Sequence, residues 1–128
     1  MSDIQFVFMM LVIFQAKQLI GDYLLQTGWM VRGKSKSGPG FIIPLSVHVS
    51  VHALMTLAIM LVFNPSLWYL AALDFAVHFS MDRIKASPRL FGRYTDVNKQ
   101  SFWIPFGLDQ MVHHLTHYFI IWSLVSLR

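Results

Sequence analysis

Four stretches of predominantly apolar residues, each interrupted by His, Asp or Gln at helical intervals, constrain this chain more than any other feature. They run from Ile4 to Leu25, Phe41 to Phe63, Ser66 to Ile84 and Phe106 to Leu127. A helix of about 20 residues crosses the roughly 30 Å hydrocarbon core of a bilayer. Of 128 residues, 55% are hydrophobic and only 12% are charged, a balance too apolar for an ordinary soluble domain. Strand-type alternation and internal repeats are absent. The expected fold is therefore an all-α integral membrane protein, a single domain (1–128) built as a four-helix transmembrane bundle with two cytoplasmic basic loops.

Without Cys, the chain has no disulfide framework, no thiolate metal site and no thiol nucleophile. Its net charge of +4 accompanies no RNA- or DNA-binding motif, so no nucleic-acid partner is expected. In a membrane chain the cations set topology and meet anionic headgroups. The connection from Gln26 to Gly40 carries Arg32, Lys34 and Lys36 among glycines and reads as a flexible basic loop. The stretch from Arg83 to Pro105 carries Arg83, Lys85, Arg89, Arg93 and Lys99, whereas the turn at Asn64 and Pro65 is uncharged. Positive-inside places both long loops in the cytoplasm and both termini on the other side, with Arg128 against the trend. Phe102, Trp103 and Phe106 around Pro105 look like an interfacial anchor.

Charged groups cost about 2.5–3.5 kcal/mol each at mid-bilayer on insertion scales, so the polar residues inside the spans must face one another. The second span carries His48 and His52, the third Asp74, His78 and Asp82, and the fourth Asp109, His113 and His117. Spacing of four residues puts each set on one helical face. Counted from the cytoplasmic ends, Asp82 and Asp109 form a shallow layer. His48, His78 and His113 lie one turn deeper, and His52, Asp74 and His117 deeper again.

Imidazole and carboxylate without thiolate suit Zn, Mn or non-haem Fe, and eight ligands exceed the needs of one ion. The expected cofactor is a pair of divalent ions, Zn favoured, held by His48, His52, Asp74, His78, Asp82, Asp109, His113 and His117. Asp22 or Asp82 is the candidate general base. Gln15, Gln18, Asp22 and Gln26 share a face of the first span, and Lys17, Gln18, Lys85 and His114 are candidates for supporting the ligands or touching substrate. The competing reading of the carboxylates is pairing with Lys17, Lys85 or Arg83.

Two ions activate water against a phosphoryl or acyl group, and the basic loops suit an anionic headgroup. The leading expectation is thus a binuclear metal-dependent hydrolase of a membrane lipid or lipid-linked phosphate at the cytoplasmic face. A divalent-cation or proton transporter using the same stripes is the first alternative, and a non-haem di-iron lipid oxidase the second. A bundle this small can also pair through exposed faces into a homo-oligomer.

The segments QAKQLIGDYLLQT from Gln15, HVSVHA from His48, DFAVHFSMDRIK from Asp74 and FWIPFGLDQMVHHLTHY from Phe102 resemble a family of small bacterial and phage integral-membrane proteins, domain of unknown function 3307. The resemblance spans nearly the whole chain. It implies a multi-pass protein of the bacterial inner membrane and a functional set of Asp22, His48, His52, Asp74, His78, Asp82, Lys85, Asp109, His113 and His117. A looser resemblance to inner-membrane metal-dependent hydrolases implies hydrolysis.

Overall fold

A computed structural model describes residues 1–128 as helices joined by short turns, with no strand. Helix α1 (Asp3–Leu19) starts at a capping box: the Gln5 amide donates to the Ser2 hydroxyl, and the Ser2 amide donates to the Gln5 side chain. It continues into a π-helical turn, Ile20–Leu24. Short α2 (Gly28–Gly33) is capped by Thr27. A 3-10 turn, Pro39–Phe41, leads into α3 (Ile42–Phe63), and a second, Pro65–Leu67, into α4 (Tyr69–Ala86). After a third 3-10 turn, Phe91–Arg93, comes α5 (Gln100–Ser126). The segments Asp3–Leu24 and Pro39–Phe63 are long and apolar enough to cross a membrane. Helices α4 and α5 are long as well, but the Asp and His that they carry lower their mean hydropathy.

The last helix begins six residues before the expected Phe106. Pro105 looks like a boundary in the sequence, yet it lies within α5, and the helix runs on to Ser126 although a proline there removes one backbone hydrogen bond and crowds the carbonyl of Ser101. Trp103 donates its indole N–H to the Val97 carbonyl at 2.6 Å, tying the new first turn to the chain before it.

The long helices pack mainly as sequential neighbours, α3 on α4 and α4 on α5, and α1 closes the bundle against α5. Its interior is divided along the axis. At the end holding both termini and the Pro65 turn, Phe6, Met10 and Phe14 of α1 meet Met60, Leu70, Ile120 and Leu124 in a dry cluster. Asn64 donates to the Leu127 carbonyl and Arg128 pairs with Asp3 there, at 3.3 and 3.2 Å. At the other end the core consists of buried His and Asp.

The register of α3 on α4 differs from the counted layers by one turn. His48 faces Asp82, His52 faces His78, and Thr56 faces Asp74. In each pair one residue lies as far before Pro65 as the other lies after it, so the tight turn fixes the pairing. Counting from the helix ends remote from Pro65 misplaces it, because α3 starts at Ile42 and α4 runs on to Ala86. Between α4 and α5 the layers stand as counted, with His78 against His113 at 4.0 Å between ring centroids.

The connection expected as a flexible loop is a folded cap. Gly33 of α2 packs so closely on Pro44 that no Cβ fits between them. The Arg83 guanidinium lies over the Phe41 ring at 3.6 Å and donates to the carbonyls of Lys34 and Lys36, each at 3.0 Å. Replacing Arg83 by Met removes both hydrogen bonds and the cation–π contact. Limited proteolysis is expected to cut between Gln26 and Gly40 several times faster in Arg83→Met, at a rate set by local opening of about 1–2 kcal/mol. An unchanged cleavage rate contradicts this role.

Candidate metal centre

The buried polar residues fall into two tiers with opposite character. In the deeper tier Lys17, 3% exposed, donates to Asp74 Oδ2 at 2.9 Å and to His117 Nε2 at 3.1 Å. Thr56 donates to the same Asp74 oxygen at 2.6 Å. Charge and hydrogen-bonding capacity are matched, as burial demands. Asp74 and His117, expected as metal ligands, are thus engaged by Lys17, the one cation deep enough to reach them. Phe14 packs on the His117 ring and begins the apolar core beyond.

The upper tier joins Asp22 from the π-helical turn, His48 and His52 from α3, His78 and Asp82 from α4, and Asp109 and His113 from α5. Asp22 Oδ1 lies 2.9 Å from His52 Nε2 and 3.5 Å from His48 Nε2, while the Gln18 side chain donates to its other oxygen. Asp82 turns its two oxygens in different directions: Oδ2 approaches His48 at 3.2 Å and His78 at 3.5 Å, and Oδ1 approaches His113 at 3.5 Å. His113 also lies 2.8 Å from Asp109 Oδ1. Lys85 donates to Asp109 Oδ2 at 2.7 Å.

Here the satisfaction fails. Both ring nitrogens of His78, Nδ1 of His48 and of His52, and Asp82 Oδ2 are buried without a hydrogen-bond partner. Five orphaned atoms in one place are unusual, since buried polar atoms in native proteins are nearly always paired. The close approaches around Asp82 Oδ2 are not hydrogen bonds, yet they have another meaning. Ligands about 2.0–2.1 Å from a tetrahedral ion stand roughly 3.4 Å from one another, the spacing that Asp82 keeps from His48, His78 and His113. Two sets of ligand atoms lie close enough to hold an ion, Asp22 with His48, His52 and His78, and His78 with Asp82 and His113. They share His78.

Local backbone geometry serves this arrangement. The π-helical turn carries an i→i+5 hydrogen bond from the Leu25 amide to the Ile20 carbonyl, a distortion found mostly at functional positions, and Asp22 lies within it. Beside it, a Cβ on Gly21 would run into the His52 imidazole. Gly21→Ala must therefore displace His52 or the turn. A loss of metal affinity of about 10–100-fold is expected, the range for disturbing groups that orient ligands, and titration against a chromophoric chelator checks it. Wild-type affinity in Gly21→Ala contradicts the tight approach.

Lys34 is the residue that sequence reasoning missed. Assigned to topology, it is 8% exposed and reaches from the end of α2 to the Gln26 side chain at 2.8 Å and towards Asp82 Oδ2 at 3.9 Å. Burial lowers its pKa from the ordinary lysine value, with Asp82 opposing the shift. No periodicity marks it, because its burial depends on how the cap folds back. His114 stays outside both tiers with its ring stacked on Tyr118, and Gln15 is exposed. Arg83 holds the cap and pairs with no carboxylate in either tier.

No curated protein and no solved structure matches the chain. A family pattern does, over residues 7–127, and its span takes in every residue of both tiers. The chain belongs to the family described as Protein of unknown function (DUF3307).

Proposed function

We propose that this is a four-span protein of the bacterial inner membrane whose cytoplasmic half holds two divalent ions, Zn favoured over Mn or Fe. We further propose that it hydrolyses a lipid or lipid-linked substrate there. The observation that carries the metal reading is the carboxylate of Asp82, with its oxygens turned to different imidazoles at ligand spacing and Oδ2 unbonded. The ligand set is then Asp22, His48, His52, His78, Asp82 and His113, with Asp109 orienting His113 and Gln18 orienting Asp22. Two adjacent divalent ions supply an activated water and neutralise charge on a phosphoryl or acyl oxygen. Asp22, the most exposed of the three carboxylates at 16%, is the ligand that solvent reaches most readily.

Inside-out patterning supports the membrane reading for all four long helices. Phe8 and Val12 of α1, Leu54 and Val62 of α3, Leu73 of α4, and Leu115 and Trp122 of α5 are exposed, while the buried positions include five imidazoles and three carboxylates. Lys and Arg gather at the metal end of the bundle, in keeping with a cytoplasmic position for it. Passage of cations along the same residues is disfavoured by Lys17, which stands where the polar path meets the apolar core.

The test is incubation of the metal-loaded protein with vesicles of total bacterial lipid, followed by mass spectrometry of lipids and released headgroups. Metal-dependent release by the intact protein, absent in Asp82→Asn, is the expected result. Lipids unchanged by a fully metallated protein would refute hydrolysis, and oxidised acyl chains with bound iron would favour the oxidase instead.

A further inference from the structure

Immediately above the upper tier lies a cleft of about 330 Å³ between the α2 cap, the end of α4 and the first turns of α5. Its floor includes Lys34 and Lys85, whose ammonium groups approach Asp82 and Asp109 on the metal side. One wall is aromatic, with Phe91, Phe102 and Phe106. At the rim Tyr94 receives a hydrogen bond from Arg93 at 2.7 Å, with the guanidinium also over its ring. An ammonium group that is nine-tenths buried at the floor of an open cleft is costly unless an anion meets it.

We propose that this cleft binds a phosphate ester between Lys34 and Lys85, and that the ester belongs to an amphiphile whose chain lies on the Phe102 wall. The inference rests on the metal reading for its charge balance. Once two divalent ions occupy the upper tier, the three carboxylates Asp22, Asp82 and Asp109 face two ammonium groups and four metal charges. That leaves a surplus of positive charge which a hydroxide and a phosphate dianion offset. An uncharged or cationic headgroup leaves the surplus standing. The aromatic wall has no role for a small hydrophilic ester but suits the first carbons of a chain, next to a surface that is itself apolar.

Phosphonates, whose C–P bond resists hydrolysis, make the test. Dodecylphosphonate, methylphosphonate and dodecyltrimethylammonium are titrated calorimetrically into the metallated protein in an uncharged maltoside detergent. Metal content is measured in each preparation. Saturable binding of dodecylphosphonate is expected, weakened roughly 10–100-fold in Lys34→Gln, the loss expected for one charge-assisted hydrogen bond. Lys34→Arg keeps the charge and is expected to stay within a few-fold of wild type, which separates loss of the cation from misfolding. Phe102→Ala should weaken dodecylphosphonate and leave methylphosphonate unaffected. Equal affinity for both phosphonates keeps the anion site and assigns it to a soluble ester. Absence of saturable binding in a metallated protein, equal binding of the trimethylammonium compound, or indifference to Lys34→Gln overturns the proposal and leaves the metal reading in place. Phosphonate binding at Lys34 in a protein that takes up no metal would instead overturn the metal reading alone.

Discussion

Alanine at His78 is expected to strip the protein of metal without unfolding it. His78 belongs to both sets of ligand atoms, with ring centroids 4.1 Å from His52 and 4.0 Å from His113. Neither of its nitrogens has a hydrogen-bond partner, so the folded state loses no hydrogen bond when the ring is removed. What disappears is a ligand within reach of either ion position. Disturbing groups behind a ligand costs about 10–100-fold in affinity, and loss of a ligand itself should exceed that range. Metal analysis of purified His78→Ala should find less than a tenth of the wild-type content, while thermal unfolding of the metal-free proteins stays within about 1 kcal/mol of wild type. His117→Ala, in the lower tier, is expected to keep its metal. Equal retention in both variants contradicts the two-tier division.

Lys17→Met carries the largest expected cost in stability. It leaves the Asp74 carboxylate, 1% exposed, with Thr56 as its sole remaining donor. Breaking a buried pair by removing one partner costs about 3–5 kcal/mol, a large share of the 5–15 kcal/mol that holds a typical domain folded. The paired change Lys17→Met with Asp74→Asn removes both charges and should recover most of the loss. Reversible unfolding in mixed micelles measures all three proteins. A loss under 1 kcal/mol in Lys17→Met, or no recovery in the double variant, would show that the pair is not the lower tier's anchor. Metal content should be unchanged throughout, because the hydrogen bonds and ion pair of Lys17 go to Asp74 and His117 and not to the upper tier's ligand sets.

Much of this was legible in the sequence for a physical reason: a polar residue in an apolar helix has few places to go. That alone groups His48, His52, Asp74, His78, Asp82, Asp109, His113 and His117 on inward faces at four-residue spacing, but it does not separate Asp74 and His117, which Lys17 engages, from the rest. The layer assignment of α3 failed because it was counted from the ends of helices, where boundaries are least certain. Pro65 was visible, and reflecting the chain about it would have paired His48 with Asp82 and Thr56 with Asp74. Lys17 could be seen to lie deep, but Asp22 and Asp74 were both within its reach, and only the packing of α1 against α5 and α3 selects Asp74. Lys34 was not legible at all. Its position depends on Arg83 holding the cap from across the bundle, a contact without a sequence period.

We propose the upper tier as a two-ion site of nitrogen and oxygen ligands. The measurement that meets it most directly is X-ray absorption on the protein purified without chelators, with metal per chain determined on the same sample. About two equivalents of one metal are predicted, in an N/O shell free of sulfur, with a metal–metal separation of roughly 3.5–4 Å that disappears in His78→Ala. A folded protein that holds no metal, or one whose metal persists unchanged in His78→Ala, would contradict it.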